Sequence, residues 1–233
     1  MRNGAPGYGV APMERLSPAY RAVMLASWLP LVPWSRIEVS GLEHLPESGP
    51  VLLAGNHDSY WDPIAIGFAA RRRRQIHALA KDTLWKVKPV GVVLDAMGQI
   101  PIKRGAGDAD ALSAAIEALR EGKCIGVFLE GTRSLGKPLR ARSGFGRLAA
   151  AVTEAEIVCV TVVGTTDVAA FPTRPGVSVR FFRPAGGGLQ PGESAAEFGT
   201  RLLEEARAEA PLVAAGRRRR AALSAAGDRV PAP

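Results

Sequence analysis

A histidine and an aspartate, His57 and Asp62, stand five positions apart in the stretch GNHDSYWDP, residues 55–63. The stretch follows an apolar run, VLLA, which is typical of a buried strand. Side chains that stack on one helix lie three or four positions apart, so this spacing favours a loop that turns into a helix. A carboxylate that fixes an imidazole tautomer and stabilises the imidazolium creates a general base. The pair is therefore a candidate for proton transfer.

Asp62 also has an interpretation as a helix cap. It stands directly before Pro63, and an N-cap acceptor followed by proline at the first helical position is a strong helix start. A carboxylate has two oxygens, so the two roles are compatible. We expect one oxygen to cap backbone N–H groups while the other accepts a hydrogen bond from His57.

The nucleophile for such a base is expected to be a substrate hydroxyl or water. The segment GKCIG, residues 122–126, resembles a nucleophile elbow, but Cys124 precedes the predicted strand instead of following it. The other histidines, His44 and His77, do not recreate a spaced metal-ligand set. We therefore predict no metal and no cofactor, and we expect both histidines to be structural or solvent-facing.

Short β-like runs alternate with helical patterns from about residue 37 to 183, which predicts an α/β fold with a largely parallel mixed sheet flanked by helices. The predicted strands are Val51–Ala54, Gln75–Ala80, Gln99–Lys103, Cys124–Leu129, Ile157–Val163 and Val177–Phe182. The predicted helices are Pro63–Arg71, Leu84–Met97 in pieces, Ala109–Glu121, Phe145–Glu154 and Ala195–Ala208. Ligands of open α/β sheets bind beyond the carboxyl ends of the strands. We therefore expect the residues that follow these strands to form the site.

Two such strand ends carry arginines that suit a phosphate. Arg104 follows QIPI, and Arg133 closes EGTR after CIGVFL; the guanidinium fork matches phosphate oxygens. The backbone N–H groups of Gly131 and Thr132 are expected to help, and Glu130 to order the arginines or bind a hydroxyl. Surface salt bridging is the alternative for these arginines.

A nucleotide-binding loop is a poor alternative for the same region. The segment GTRSLGK, residues 131–137, has the spacing of a P-loop. Pro138 stands where that loop needs a Ser or Thr hydroxyl for Mg²⁺, and proline has neither a hydroxyl nor an N–H.

The net charge of +8 and pI of about 10.1 imply an anionic partner: nucleic acid, an acidic membrane surface or a phosphorylated substrate. Basic strands interleaved with aromatic residues and a recognition-helix motif are both missing, which disfavours nucleic acid. The cysteines, Cys124 and Cys159, lie in apolar runs and are expected to be core thiols in a reducing, cytoplasmic compartment.

The segment AVMLASWLPLVPW, residues 22–34, is too short for a spanning helix and is broken by two prolines. Its Trp28 and Trp34, with flanking arginines, suit the membrane–water interface, although a helix that simply covers the core explains it too. We predict a disordered N-terminus (1–14), a helical membrane-interface segment (15–36), a catalytic domain (37–210) and a flexible basic tail (211–233).

Three blocks together resemble the glycerolipid acyltransferase family, the 1-acylglycerol-3-phosphate acyltransferase group. NHDSYWD matches its His-x4-Asp block, GQIPIKR its second block and FLEGTRS its third, with Leu129 in place of a usual proline. RARSGFGRLA and IVCVTVVGT resemble later segments, with Arg142 at a lysine position and Cys159 at a proline position. The resemblance covers about residues 41–184.

The resemblance implies acyl transfer from acyl-CoA or acyl-ACP to the free hydroxyl of lysophosphatidic acid, giving phosphatidic acid for phospholipid biosynthesis. His57 would deprotonate the hydroxyl, Asp62 would orient His57, and Arg104 and Arg133 would hold the acceptor phosphate with assistance from Glu130. Neither an acyl-enzyme nor a metal is needed. The expected location is the cytoplasmic face of the cell membrane, as a peripheral protein.

Other functions stay open at this point. The same chemistry on another lysophospholipid or on a hydroxylated lipid is the nearest alternative, followed by hydrolysis with water and by nucleic-acid binding. The arginine run at residues 71–74 is expected to end a helix, where the helix dipole favours positive charge, and it could also contact anionic lipid headgroups.

Overall fold

The computed structural model describes residues 14–103, 109–169 and 174–212. The strands in these ranges are β1 (Glu38–Ser40), β2 (Val51–Gly55), β3 (Ile76–Lys81), β4 (Ile100–Ile102), β5 (Cys124–Phe128), β6 (Glu156–Val163) and β7 (Ser178–Phe182). The α-helices are α1 (Pro18–Ala26), α2 (Asp62–Ala70), α3 (Lys88–Ala96), α4 (Ala109–Arg120), α5 (Gly144–Ala151) and α6 (Ala195–Glu209).

The described strands form one seven-stranded sheet in the order β1-β7-β6-β2-β5-β3-β4. The strands from β6 to β4 along this order are parallel, whereas β7 is antiparallel to β6 and carries β1 parallel to itself. The predicted α/β class with a largely parallel mixed sheet is therefore confirmed. The carboxyl ends of β2, β5 and β6 meet at one edge of the sheet.

β2 lies in the middle because both of its faces are apolar. Side chains of a strand alternate between the faces of its sheet. Val51 and Leu53 pack into a core with α1 and α2, whereas Leu52 and Ala54 pack into a second core with α4, α5 and α6. The strand is thus fully buried, so the start of the loop that follows it is held in place by the core.

The sequence predicts the strands other than β1, with ends that shift by one or two residues. β1 has three exposed residues and lacks an apolar run, so hydrophobic patterning could not reveal it. It forms because Glu38–Ser40 pairs in parallel with the outer side of β7. The helices agree with prediction, and Leu84–Met97 does fold in pieces, as a 3₁₀ turn (Asp82–Lys86) followed by α3.

The N-terminal segment covers the core through one face of α1. Ser17 caps the helix by accepting from the N–H of Tyr20, and both Tyr20 and Met24 are buried. They pack over Gly67 of α2, where an added Cβ would lie 2.9 Å from the Tyr20 hydroxyl. A second helical piece, Pro30–Trp34, leads towards β1. None of the helices in the described ranges combines the length and apolar character that a bilayer crossing requires.

The basic run at residues 71–74 lies at the sheet edge opposite the carboxyl ends of β2 and β5. Arg74 is 2% exposed and donates to the carbonyls of Pro46, Gly49 and Gly122, which precede β2 and β5. Arg71 donates to the Phe68 carbonyl in the last turn of α2, as a cation at a helix end should. The expected headgroup contact is therefore wrong for Arg74, because its guanidinium satisfies buried carbonyls.

Several predictions concern residues outside the described ranges. The predicted disordered N-terminus lies outside them except for Glu14, and the predicted basic tail except for residues 211 and 212. Arg104, predicted to bind phosphate, also lies outside the described residues.

Candidate active site

Asn56 fixes the loop that leaves β2. Its side-chain N–H donates to the Val162 carbonyl at 2.9 Å, and its side-chain oxygen accepts from the Val162 N–H at 2.8 Å. Asn56 is fully buried, and its two bonds continue the pairing of β2 with β6 beyond Gly55. His57 therefore leaves the sheet in a defined direction.

His57 and Asp62 form a buried pair. The Nδ1 of His57 lies 2.9 Å from Oδ2 of Asp62, and the residues are 6% and 0% exposed. A carboxylate at Nδ1 favours the tautomer with its hydrogen on Nδ1, so that Nε2 carries the lone pair. The structure thus brings together the two residues that the sequence pairs.

Asp62 does not cap its helix in the predicted way. It is the first residue of α2, and the residue at the cap position, Trp61, makes no side-chain cap bond. The Asp62 carboxylate turns back to the preceding loop, where Oδ2 accepts from the N–H groups of Asp58 at 2.6 Å and Ser59 at 2.8 Å. The physical reason is that these loop N–H groups face Oδ2, while the Ala65 N–H, which a cap at Asp62 would bind, donates to the Trp61 carbonyl at 2.8 Å.

Thr165 completes the surroundings of Asp62 and was not found by sequence reasoning. Its hydroxyl donates to Oδ1 of Asp62. The turn that delivers it depends on Gly164, whose φ is +85° and whose added Cβ would lie 2.0 Å from the Gly176 carbonyl oxygen. Both oxygens of Asp62 are thus bonded, which holds the carboxylate still for His57.

His57 lines a cavity of about 700 Å³, a size within the range of roughly 300–1,000 Å³ usual for ligand sites. Its walls are mainly apolar and come from α1, α2, α3 and the carboxyl-terminal halves of β2, β3 and β5. Phe128, at the end of β5, stacks on the imidazole with ring centroids 4.0 Å apart and an angle of 12°. The histidine therefore stands between a polar loop and an apolar chamber.

The loop after β5 holds His57 by its backbone. The His57 N–H donates to Oε2 of Glu130 at 2.9 Å, and the Ser134 N–H donates to the His57 carbonyl at 2.8 Å. This places the third block of the resemblance beside the first.

Thr132 and Arg133 line the cavity together with His57. The guanidinium carbon of Arg133 lies 3.6 Å from the centroid of the Tyr60 ring, which is 70% exposed. This cation–π contact orients the guanidinium without occupying its N–H donors on a carboxylate. The Arg133 guanidinium is thus held beside the Tyr60 ring at the wall of the cavity.

Gly131 and Glu130 differ from their predicted roles. The Gly131 N–H donates to the Phe128 carbonyl at 2.9 Å, so it is used within the turn instead of being open to a phosphate. Gly131 has a φ of +68°, and an added Cβ would lie 3.0 Å from the Arg142 side chain. Glu130 orders an arginine, as expected, but that arginine is Arg207.

Arg207, near the end of α6, is a site residue that sequence reasoning missed. Its guanidinium lies 2.6 Å from Oε1 of Glu130 and 2.9 Å from Oδ2 of Asp58. The signal that could have revealed it is the pair of acidic residues in two loops predicted to meet: buried carboxylates need a cation.

The charges of this cluster influence one another. Burial works to raise the pKa of Asp58, but hydrogen bonds from Arg207, Ser134 and Asn56 outweigh it and hold the pKa below its ordinary value. Burial raises the pKa of Glu130 although the Arg207 guanidinium opposes this. Burial also works to lower the pKa of Arg207, and the two carboxylates raise it overall.

The other histidines and the cysteines lie elsewhere. His77 is buried in β3, with Nδ1 2.8 Å from the Gly98 carbonyl and Nε2 2.8 Å from Glu14, whereas His44 lies in a surface 3₁₀ turn. Cys124 and Cys159 are buried thiols, and burial raises the pKa of each to about 12. The predicted structural roles of these residues are confirmed.

The segment 131–137 is not followed directly by a helix, since α5 begins at Gly144. A P-loop must open a helix so that the helix N-terminus meets the phosphates. The structure thus agrees with the sequence argument against a nucleotide site here.

Comparisons with known proteins agree with this geometry. The chain is 32% identical over 147 residues to a 1-acyl-sn-glycerol-3-phosphate acyltransferase of Borreliella burgdorferi, covering 62% of this chain and 57% of that protein. It is 28% identical over 160 residues to the chloroplastic 1-acyl-sn-glycerol-3-phosphate acyltransferase LPAT1 of Arabidopsis thaliana, covering 67% and 44%. The chain thus spans about half the length of these curated relatives.

The fold resembles the crystal structure of the 1-acyl-sn-glycerophosphate (LPA) acyltransferase PlsC from Thermotoga maritima. The TM-score is 0.65, with 23% sequence identity over 82% of this chain and 77% of that one. The family model described as Acyltransferase matches residues 36–164, which contain His57, Asp62 and the loop after β5. Because this match covers more than half of the 233 residues, the chain belongs to the Acyltransferase family.

Proposed function

We propose that the protein is an O-acyltransferase that moves a fatty acyl group from acyl-CoA or acyl-ACP to the free hydroxyl of 1-acylglycerol-3-phosphate. The product, phosphatidic acid, would serve phospholipid biosynthesis. The observation that carries the proposal is the buried His57–Asp62 pair, which opens on an apolar cavity beside Arg133. The names of the similar proteins support the choice of acceptor.

The chemistry needs one proton to move out and back. Nε2 of His57 takes the proton of the acceptor hydroxyl as its oxygen attacks the thioester carbonyl carbon. The tetrahedral intermediate then collapses, the C–S bond breaks, and the imidazolium returns the proton to the leaving sulfur. The products are an ester and a free thiol, and no covalent bond to the protein forms.

Asp62 supports both proton transfers from one fixed position. Its negative charge stabilises the imidazolium that forms, and its bonds to the Asp58 and Ser59 N–H groups and to Thr165 prevent rotation. Because the ring also stacks on Phe128, Nε2 keeps one direction during the reaction. Well-oriented reactants can save about 7–11 kcal/mol of the barrier.

Arg133 would bind the acceptor phosphate, with the Thr132 hydroxyl or N–H as a second donor. Both residues line the same cavity as His57, so a phosphate bound there and a hydroxyl at the imidazole can belong to one acceptor molecule. The apolar walls are suited to an acyl chain, since hydrocarbon burial stabilises binding by about 0.8 kcal/mol per CH₂. Arg104 stays a predicted second phosphate ligand.

A panel of acceptors tests the proposal, with an Arg133→Ala variant measured beside the native chain. We expect acyl transfer from acyl-CoA or acyl-ACP to lysophosphatidic acid, and weaker transfer to acceptors that lack a terminal phosphate. Arg133→Ala is expected to raise the KM for lysophosphatidic acid about 10- to 100-fold with a smaller change in kcat, since a charge-assisted hydrogen bond contributes about 1.5–3 kcal/mol.

The matched control for this panel is Arg140→Ala, which removes an exposed arginine from the same loop. Products are identified by mass spectrometry, and free fatty acid is measured to separate transfer from hydrolysis. Preference for a headgroup-bearing lysophospholipid would redirect the proposal to that acceptor. An unchanged KM in Arg133→Ala would refute phosphate binding by Arg133.

We also propose that the protein acts at the cytoplasmic face of the cell membrane, as a peripheral protein. Leu25, Trp28 and Leu29 at the end of α1 are 76%, 49% and 67% exposed. Further exposed valines lie on and beside α3, which contacts α1: Val87, Val90, Val92 and Val93. Two of them, Val90 and Val93, also line the cavity, so this apolar surface continues into it. Lipid could then enter the site from the bilayer.

A vesicle-binding assay tests this location. We expect the double variant Trp28→Ser, Leu29→Ser to bind anionic phospholipid vesicles at least about tenfold more weakly, because burying one large apolar side chain contributes about 1.5–3 kcal/mol. Val39→Ser, which alters an exposed valine of edge strand β1, is the matched control. Equal flotation of both variants with vesicles would contradict the assignment of this surface.

A further inference from the structure

Behind His57, two carboxylates share one guanidinium. Nη1 and Nη2 of Arg207 each lie 2.9 Å from an oxygen of Asp58, and Nη2 lies 2.6 Å and 2.8 Å from the two oxygens of Glu130. The side chains of Asp58, Glu130 and Arg207 are 13%, 0% and 14% exposed. Arg207 therefore joins the loop after β2 to the loop after β5.

Each of these carboxylates is directly coupled to the backbone of His57. Glu130 accepts from the His57 N–H, and Asp58 is the next residue along the chain. Ser134 links Asp58 to the backbone of His57, because its hydroxyl donates to Asp58 while its N–H donates to the His57 carbonyl. Glu130 thus acts on the peptide group before His57, and Asp58, through Ser134, on the peptide group after it.

The two carboxylates need a cation to stay in place. Two negative charges this close and this far from water repel each other, and without a partner they separate or take up protons. In the native arrangement the pKa of Asp58 stays below its ordinary value despite burial, and Arg207 is one of the causes. At Glu130 burial outweighs the guanidinium and the pKa is raised, so what Arg207 supplies to both carboxylates alike is a shared hydrogen-bond donor that holds the two loops together.

Buried ion clusters contribute little net free energy to folding, since apolar residues of similar volume often stabilise a fold as well or better. A cluster that clamps the backbone of a proposed general base is better explained by geometry. Displacement of a catalytic group by about 1 Å can cost about 10²-fold in rate.

We propose that Arg207 is a positioning residue for His57, and that α6 is for this reason part of the active site. The inference rests on the proposed acyl transfer. Arg207 lies outside residues 36–164, the part of the chain that matches the family model.

The first experiment compares the kinetics of Arg207→Ala with the native enzyme. We expect kcat to fall about 10²-fold while the KM values of acceptor and thioester change little, because the imidazole is displaced and the binding groups are not. Added guanidinium chloride, at a concentration far below denaturing, is expected to restore part of kcat. Sodium chloride at the same concentration is expected to leave the kcat of the variant unchanged. Arg207→Lys should be intermediate, since one ammonium cannot bridge both carboxylates as a planar fork does.

The matched control is Arg201→Ala, six residues earlier on α6. Arg201 pairs with Glu193 and Glu205, so its removal also costs ion pairs of this helix but leaves the His57 loop intact. We expect a lower Tm with native kcat. A fall in kcat equal to that of Arg207→Ala would overturn the proposal, as would native kcat in Arg207→Ala.

A second readout does not depend on the acceptor. The imidazole ¹⁵N and ¹H resonances of His57, assigned with a His57→Gln variant, are expected to move in Arg207→Ala, to return with guanidinium, and to stay in Arg201→Ala. Unmoved resonances in Arg207→Ala would overturn the positioning role. If the native chain transfers no acyl group to any acceptor, the proposed function fails, while this spectrum still decides whether Arg207 positions His57.

Discussion

His57→Ala is expected to lower kcat for acyl transfer by about 10²–10⁴, the usual contribution of a general base. The reason is that no imidazole then faces the cavity to take the proton of the acceptor hydroxyl. Binding of lysophosphatidic acid should persist, because Arg133 is untouched. Steady-state product formation gives kcat, and equilibrium binding of labelled lysophosphatidic acid gives its dissociation constant.

His44→Ala is the matched control for this variant, since His44 lies in a surface turn with its Nε2 3.8 Å from the Glu43 carboxylate. Its activity should equal that of the native chain. Substantial turnover by His57→Ala would refute the assignment of the base, even if Arg133 proves to bind phosphate.

Asp62→Asn is expected to lower kcat by about 10³, within the span of general-base effects. An amide is nearly the same size as a carboxylate and can still accept from the Asp58 and Ser59 N–H groups through its oxygen. That oxygen, in the place of Oδ2, also faces Nδ1 of His57, but without a negative charge it stabilises an imidazolium far less. Thermal unfolding should therefore change far less than kcat does.

Asp110→Asn serves as the control for Asp62→Asn, because Asp110 is an exposed aspartate in the first turn of α4. The same measurements apply: kcat, KM and Tm. If Asp62→Asn lost stability in proportion to activity, Asp62 would be a residue of the fold and its role towards His57 would be unnecessary.

Much of the fold follows from sequence patterns because the central strands are apolar on both faces. Residues 51–55 and 157–162 are buried runs, and apolar runs of this length between turn residues are recognisable in the sequence. β1 cannot be recognised in the sequence, because this three-residue exposed strand forms through its pairing with β7. Tertiary hydrogen bonds create that strand, and no local pattern encodes them.

The site was predictable where its residues are close in the chain. His57 and Asp62 lie within one loop, so their spacing indicates a contact. Arg207 is separated from Glu130 by 77 positions and from Asp58 by 149, and it stands on a helix where arginines are common. Its role emerges only when the packing of α6 places it between two carboxylates.

The direction of the Asp62 side chain was also beyond sequence reasoning. Aspartate before proline is usually a cap, and nothing local shows that the N–H groups of Asp58 and Ser59 compete for the same carboxylate. Thr165 shows the same difficulty, because it reaches Asp62 from a turn 103 positions away.

The Phe128 ring stacked on the imidazole bears on how much of the thioester donor would be lost to hydrolysis. An activated thioester is costly to synthesise, and a base that also activated water would waste it by hydrolysis. With one face of the imidazole shielded by a hydrocarbon ring at 4.0 Å, an incoming solvent molecule meets no polar surface on that side. In the proposed acyl transfer a lipid alcohol brings its own hydrocarbon to this apolar surface and water does not, so we expect the Phe128 side chain to favour the alcohol over water.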